Sequence, residues 1–225
     1  MDLIDLIAIG VWITVAIISL GIFLFFIDRY LKFKEKNRIQ LAFCLIFLCL
    51  GIGRLLLIYF DYFLTGLEIS AYDEFQLMWK TAILFEMVGI GFLILVSEYA
   101  VWKGKDFYSF FIGFLIVVCI GMCIPDFFLG QMIIVYALIF AVFIPISYIY
   151  LAIKLPKPSR SNIIMVFIGF IIFGGGLLLI SAGVVEWLAF LIDNHSLYLI
   201  SAIVQIPGLL FLALGIKRMY FTEMT

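Results

Sequence analysis

The chain is predicted to be an all-α, polytopic membrane bundle of seven transmembrane helices, with its N-terminus outside and its C-terminus in the cytoplasm. Three observations lead to this expectation. Hydrophobic residues fill 67% of the 225 positions and charged residues only 13%, against roughly 25% charged in a soluble domain. The apolar residues collect in seven runs, each near the roughly 20 residues that cross a hydrocarbon core as a helix. Of the 14 Lys and Arg residues, all but Arg54 and Lys80 fall in alternate connections, which is the positive-inside pattern of cytoplasmic loops.

Each span follows from the order of runs and breaks. The first, 4–27, comes after Asp2 and Asp5 where a secretory signal would carry cations, so it is expected to stay in the bilayer as a helix. Arg29, Lys32, Lys34, Lys36 and Arg38 end it on the inner side. The second span, 39–60, returns outward into the acidic, aromatic link DYFLTGLEISAYDEFQ, where Tyr62, Phe63 and Tyr72 are expected at headgroup level. The third, 77–97, leaves through Lys103 and Lys105, and the fourth is placed at 107–124. Lys154, Lys157 and Arg160 close the fifth, 132–153, and Lys217 and Arg218 close the seventh, 197–216. The sixth, 163–184, runs on into VVEWLAFLID, read as a tilted extension or a short helix in the outer interface. Pro145 and Pro207 interrupt the backbone ladder of the fifth and seventh spans, so a kink is expected at each. The whole chain, 1–225, is read as one transmembrane domain.

An ionisable side chain costs roughly 2.5–3.5 kcal/mol in a membrane interior, so those that are present invite a structural or functional explanation. Arg54, Lys80 and Glu86 lie on the second and third spans in the same half of the membrane. Arg54 and Glu86 are natural partners across two antiparallel neighbours, because a guanidinium reaches far and donates two hydrogen bonds to a carboxylate. Lys80 is expected to snorkel outward or to pair with Asp61 or Glu186. With Gln205 beside Pro207, these residues form a candidate polar core or ligand site for an anionic or zwitterionic molecule, rimmed by Asp61 and Glu186. Gly169, Gly176 and Gly183 recur every seven residues and make one flat helix-packing strip.

Other chemistries find no support in the residues. Cys44 with Cys49, and Cys119 with Cys123, make neither a redox motif nor a metal site and read as small apolar fillers. His195 has no companion ligand. Glu186 and Asp193 alone do not define an acid–base pair, and no nucleophile or phosphate loop accompanies them. Neither an enzyme nor a cofactor is expected, and the inner cations read as topology determinants facing anionic lipid, not as a nucleic-acid surface. Asp28-Arg29-Tyr30 matches the ionic-lock triplet of G-protein-coupled receptors but follows the first span instead of the third. The seventh span has no lysine for a retinal Schiff base.

The segments GIGRLLLIYFDYF closing the second span, LMWK opening the third and VSEYAVWKGKDF leaving it stand beside a basic first inner loop and a glycine-containing seventh span ending at Lys217 and Arg218. Together they resemble the seven-span sensor region of prokaryotic histidine kinases and freestanding archaeal seven-span membrane proteins. That resemblance implies a receptor-like module of the cell membrane, binding a small or lipidic ligand from the outer side. Since KRMYFTEMT alone follows the last span, it also implies a separate signalling partner. The alternatives are a small-molecule transporter or channel, and an accessory subunit docked through the glycine strip.

Overall fold

The structure, a computed structural model, describes residues 3–33, 37–68, 71–102, 108–180, 188 and 191–221. All regular elements among them are helical: α1 (Leu3–Lys32), α2 (Arg38–Ile58) with a π-helical continuation (Tyr59–Leu64), α3 (Gln76–Trp102), α4 (Ser109–Cys123), α5 (Phe127–Ala141), α6 (Phe143–Lys154), α7 (Lys157–Leu179) and α8 (Asn194–Tyr220). Six helices are long and apolar enough to cross a membrane, counting α5 and α6 as one rod, and α4 is apolar but shorter at 15 residues. A multi-pass membrane protein follows from this.

Local chemistry sets where each helix starts and stops. Asn37 accepts a hydrogen bond from the Ile39 amide at 2.9 Å, Asp126 one from Leu129 at 2.7 Å and Asp193 one from Ser196 at 2.9 Å, so three helices begin on a side-chain cap. The caps at Asp126 and Asp193 start α5 and α8 earlier than 132 and 197, because capped turns extend a helix beyond its apolar stretch. Pro145 has no amide for the carbonyl of Ala141, and the fifth rod breaks between Ala141 and Phe143. Pro207, by contrast, sits inside a continuous α8. Gly66 and Leu67 both adopt left-handed φ (58° and 63°), turning the chain after the π-helical segment. The extension VVEWLAFLID lies largely outside the described residues.

Neighbouring helices close a ring: α1 packs on α2, α2 on α3, α3 on α6, α6 on α7, α7 on α8 and α8 on α1, while α4 lies against α3 and α5. The tightest seam joins α7 to α8. A Cβ on Gly169 would stand 2.5 Å from the Leu212 nitrogen, and one on Gly208 would stand 2.5 Å from the Phe173 nitrogen. These backbones touch because neither glycine has a side chain. Gly176 faces the same seam, at Ser201 and Gln205, whereas Gly183 lies outside the described residues. The strip thus packs within the chain, and α8 answers it with its own glycines, Gly208 and Gly215, at the same seven-residue spacing.

The helix ends sort by charge. Arg29, Arg38, Lys154, Lys157, Arg160, Lys217 and Arg218 lie at one end, called the basic end below. There Arg29 Nη1 donates to the Phe221 carbonyl at 3.0 Å and Gln40 Nε2 to the Tyr220 carbonyl at 2.7 Å. Arg160 Nε donates to the Ala152 carbonyl at 2.6 Å. Cations placed on helix C-termini satisfy free carbonyls and oppose the negative end of the helix dipole. Cys44 and Cys49 are buried among the α2 contacts, but Cys119 and Cys123 are exposed on α4. The second pair therefore does not fill the core: α4 lies at the margin of the ring and buries only Phe114, Val118 and Gly121.

Candidate functional site

In the acidic half of the bundle, α2, α3 and α8 bring Arg54, Glu86 and Gln205 together, each 3% exposed or less. Arg54 Nη2 lies 2.8 Å from Glu86 Oε1 and donates to Gln205 Oε1 at 3.3 Å. The guanidinium also stacks over the Trp12 ring of α1 at 4.2 Å, a cation–π contact that balances charge without a further anion. Gln205 Nε2 donates to Ser201 Oγ at 3.1 Å, and Ser201 Oγ donates to the Gly176 carbonyl of α7 at 2.7 Å. One buried polar chain thereby reaches from α3 through α2 and α8 to α7. It also fixes Gly53, since a Cβ there would sit 2.7 Å from Glu86 Cγ and 3.0 Å from the Ala82 carbonyl.

The Arg54–Glu86 contact is short but not aligned. Glu86 Oε1 is buried without a hydrogen bond that satisfies its geometry, although Nη2 stands within ion-pair distance. Charge attraction is thus retained while the directional bond goes to Gln205. Trp12 Nε1 and the Tyr62 hydroxyl, also buried, are placed to interact with each other.

Beside Glu86 lies a cavity of about 110 Å³. Leu57, Asp61, Trp79, Glu86 and Met87 wall it on α2 and α3, all buried. On the opposite side Gln131, Leu138, Leu177 and Ile180 are half-buried and Val135 is exposed, so the wall made by α5 and α7 is the thinner one. Tyr72 and Tyr198 close its acidic end within hydrogen-bonding reach of each other. In the loop, burial first and the charge of Asp61 second push the Tyr72 hydroxyl above its usual range, which keeps it neutral and able to donate.

Asp61 belongs to the wall of this cavity rather than to a solvent-facing rim, being 9% exposed. Seven residues after Arg54, it returns to the same face of the helix, and the π-helical segment carries it there. Lys80 is not part of the cluster. Its Nζ donates to the Ile124 carbonyl at 2.5 Å, and Gln76 donates to Pro125 at 2.7 Å, so both cap the C-terminus of α4. Among the described residues Lys80 forms no ion pair with Asp61, because its ammonium is taken by a free carbonyl beyond α4, and Glu186 lies outside the described residues. Tyr62 is buried and Tyr72 half-buried, while Phe63 is 61% exposed, so of these three only Phe63 points clearly outward. His195 pairs with Asp5, tying the first turn of α8 to that of α1.

Trp12, Ser201, Gln131 and Tyr198 were not singled out from the sequence. Ser201 stands four residues before Gln205, the spacing at which a helix stacks two polar side chains, and that signal was readable. The partner of Trp12, Arg54, comes from tertiary packing alone. Among the described residues no group of three or more His, Cys, Asp or Glu side chains is placed to hold a metal. Comparison with family models, curated proteins and solved structures finds no match for this chain.

Proposed function

We propose that this chain is a receptor-like sensor of the cell membrane, with seven spans, its N-terminus outside and its basic end in the cytoplasm. In this reading it binds a small ligand in the acidic-half cavity and passes its state to a signalling partner at the basic end. The observation that carries it is the buried chain from Glu86 through Arg54 and Gln205 to Ser201 and Gly176, which joins the cavity wall to α8. A ligand that draws on Glu86 changes what holds Arg54, and through Gln205 it changes the seating of α8 on α7. The other end of α8 carries Lys217 and Arg218.

Two further observations support the topology. The basic residues crowd one end, as expected of a cytoplasmic face. Although short, α4 runs antiparallel to α3 over the same depth: Glu98 accepts from the Phe110 and Phe111 amides at 2.9 and 3.0 Å at one end, and Lys80 reaches Ile124 at the other. A seventh crossing by α4 accounts for both contacts. Toward the basic end Phe26, Phe43, Phe47 and Phe221 pack α1, α2 and α8 together, all buried, while a cavity of about 730 Å³ opens beside them among α3, α6, α7 and α8.

The test uses spin labels on Arg38→Cys and Arg218→Cys, in a background with the four native cysteines replaced by alanine. Filling the cavity with Leu138→Trp is expected to shift the distance between α2 and α8 at the basic end, and adding Gln205→Leu is expected to abolish that shift. An unchanged distance distribution in Leu138→Trp would remove the basis for a sensor.

A further inference from the structure

We infer that the cavity beside Glu86 is a site for a small organic cation, an ammonium group on a short apolar stem. This rests on the proposal that the cavity binds a ligand, and it reverses the charge that Arg54 suggests when the sequence is read alone.

Among the described residues two carboxyl groups, Asp61 and Glu86, line the cavity, and no Lys, Arg or His side chain does. Arg54 stands behind Glu86, where it is committed to Gln205 and to the Trp12 ring. Lys80, the next cation of this region, is spent on the Ile124 carbonyl. One guanidinium therefore serves two carboxyl groups, and Asp61 adjoins the empty space with no cation bonded to it among the described residues. Among the described residues neither the Asp61 carboxylate nor the second oxygen of Glu86 accepts a hydrogen bond, although Glu86 is 3% exposed. Carboxyl groups with unused acceptor positions can accept from a bound donor, and a donor that carries positive charge makes the stronger bond.

The rest of the lining selects the kind of cation. Trp79, Tyr72 and Tyr198 line the cavity together with the acids, and aromatic rings attract an ammonium through cation–π interaction. Met87, Ile90 and Leu138 offer an apolar surface for a hydrocarbon stem. An inorganic cation suits the site poorly, since calcium or magnesium takes six or more oxygens and only Asp61, Glu86, Gln131 and two phenols are at hand. Benzene occupies an engineered cavity of about 150 Å³, so the present volume of about 110 Å³ fits roughly four to five non-hydrogen atoms.

The experiment titrates n-butylammonium, n-butanol and butyrate into the full-length protein in nanodiscs, by calorimetry and thermal unfolding. Saturable binding and a raised Tm are expected for butylammonium alone. Affinity should fall by roughly tenfold or more in Asp61→Asn, and in Leu138→Trp, which keeps both carboxylates but occupies the space. Asp61→Asn is near-isosteric, and unliganded Tm values for both variants establish that they fold. Preference for butanol or butyrate, no binding of any probe, or undiminished butylammonium binding in both variants would overturn the inference. The spin-label distances separate this outcome from the sensor proposal. Butylammonium that binds without moving α8 keeps the site and removes the sensor, whereas Leu138→Trp moving α8 with no amine bound keeps the sensor and removes the cation.

Discussion

At the basic end the ring closes on aromatic side chains: Phe26 lies flat on Phe221 with centroids 4.6 Å apart, and Phe43 and Tyr220 meet at 5.0 Å. In the acidic half it closes on an ion pair, an amide and a hydroxyl around a cavity. In hydrocarbon, aromatic packing gains from shape alone, because leaving the contact for lipid costs little hydrophobic energy. A buried charge pair behaves in the opposite way. It contributes modest net stability when intact and a large penalty when half of it is removed. The aromatic end is therefore suited to holding the helices, and the charged half to responding when its charge balance changes.

The largest expected effect breaks this contrast at the ion pair. Arg54→Leu leaves Glu86 buried without a counter-charge and should destabilise the fold by about 3–5 kcal/mol. Arg54→Leu with Glu86→Leu should recover most of that loss, as read by unfolding in SDS titrations. Equal destabilisation by the single and the double variant would show that the pair holds the fold through shape and not through charge. On the aromatic side Phe26→Ala should cost less, about 2 kcal/mol, because lipid tails can fill part of the space that a soluble core would leave empty. Measured in the same titration, a loss exceeding that of Arg54→Leu would invert the comparison.

A smaller effect is expected at Lys80. Lys80→Met removes one charge-assisted hydrogen bond from a half-buried helix end, worth about 1–2 kcal/mol. It should raise amide exchange around Ile124 while leaving the Arg54 cluster protected, which separates helix capping from membership of the site. The smallest effect belongs to Asp193. The backbone amide and side chain of Ser196 hold its carboxyl below its usual value of 3.8. The cap therefore contributes fully above pH 3.8 and is lost as pH falls through the lower folded value. Exchange at Ser196 should rise only in strong acid, and Asp193→Asn should flatten that dependence.

Much of the fold is legible in the residues because hydrocarbon imposes one rule on every helix, that backbone polar groups bond internally over about 20 residues. The runs around Trp12, Phe47 and Leu93 announce helices for that reason. The Arg54–Glu86 proximity is equally legible, since two adjacent antiparallel spans leave few other partners. What sequence does not reveal depends on partners supplied from a distance. Lys80 finds the end of α4, 44 residues away, and the depth of Asp61 depends on where the second helix stops. The break at Val142, three residues before Pro145, is local and readable in kind, although continuity through Pro207 is not.

The π-helical segment Tyr59–Leu64 also sets a tolerance on length. Each residue in an α-helix turns the chain by about 100°. Losing a single residue between Ile58 and Asp61 would swing the Asp61 carboxyl away from the cavity while leaving the composition of the span almost unchanged. Chain length in this short stretch is therefore held as tightly as residue identity at Arg54 or Glu86, and a relative that lacks one residue here would keep the bundle and lose one of the two carboxylates facing the cavity.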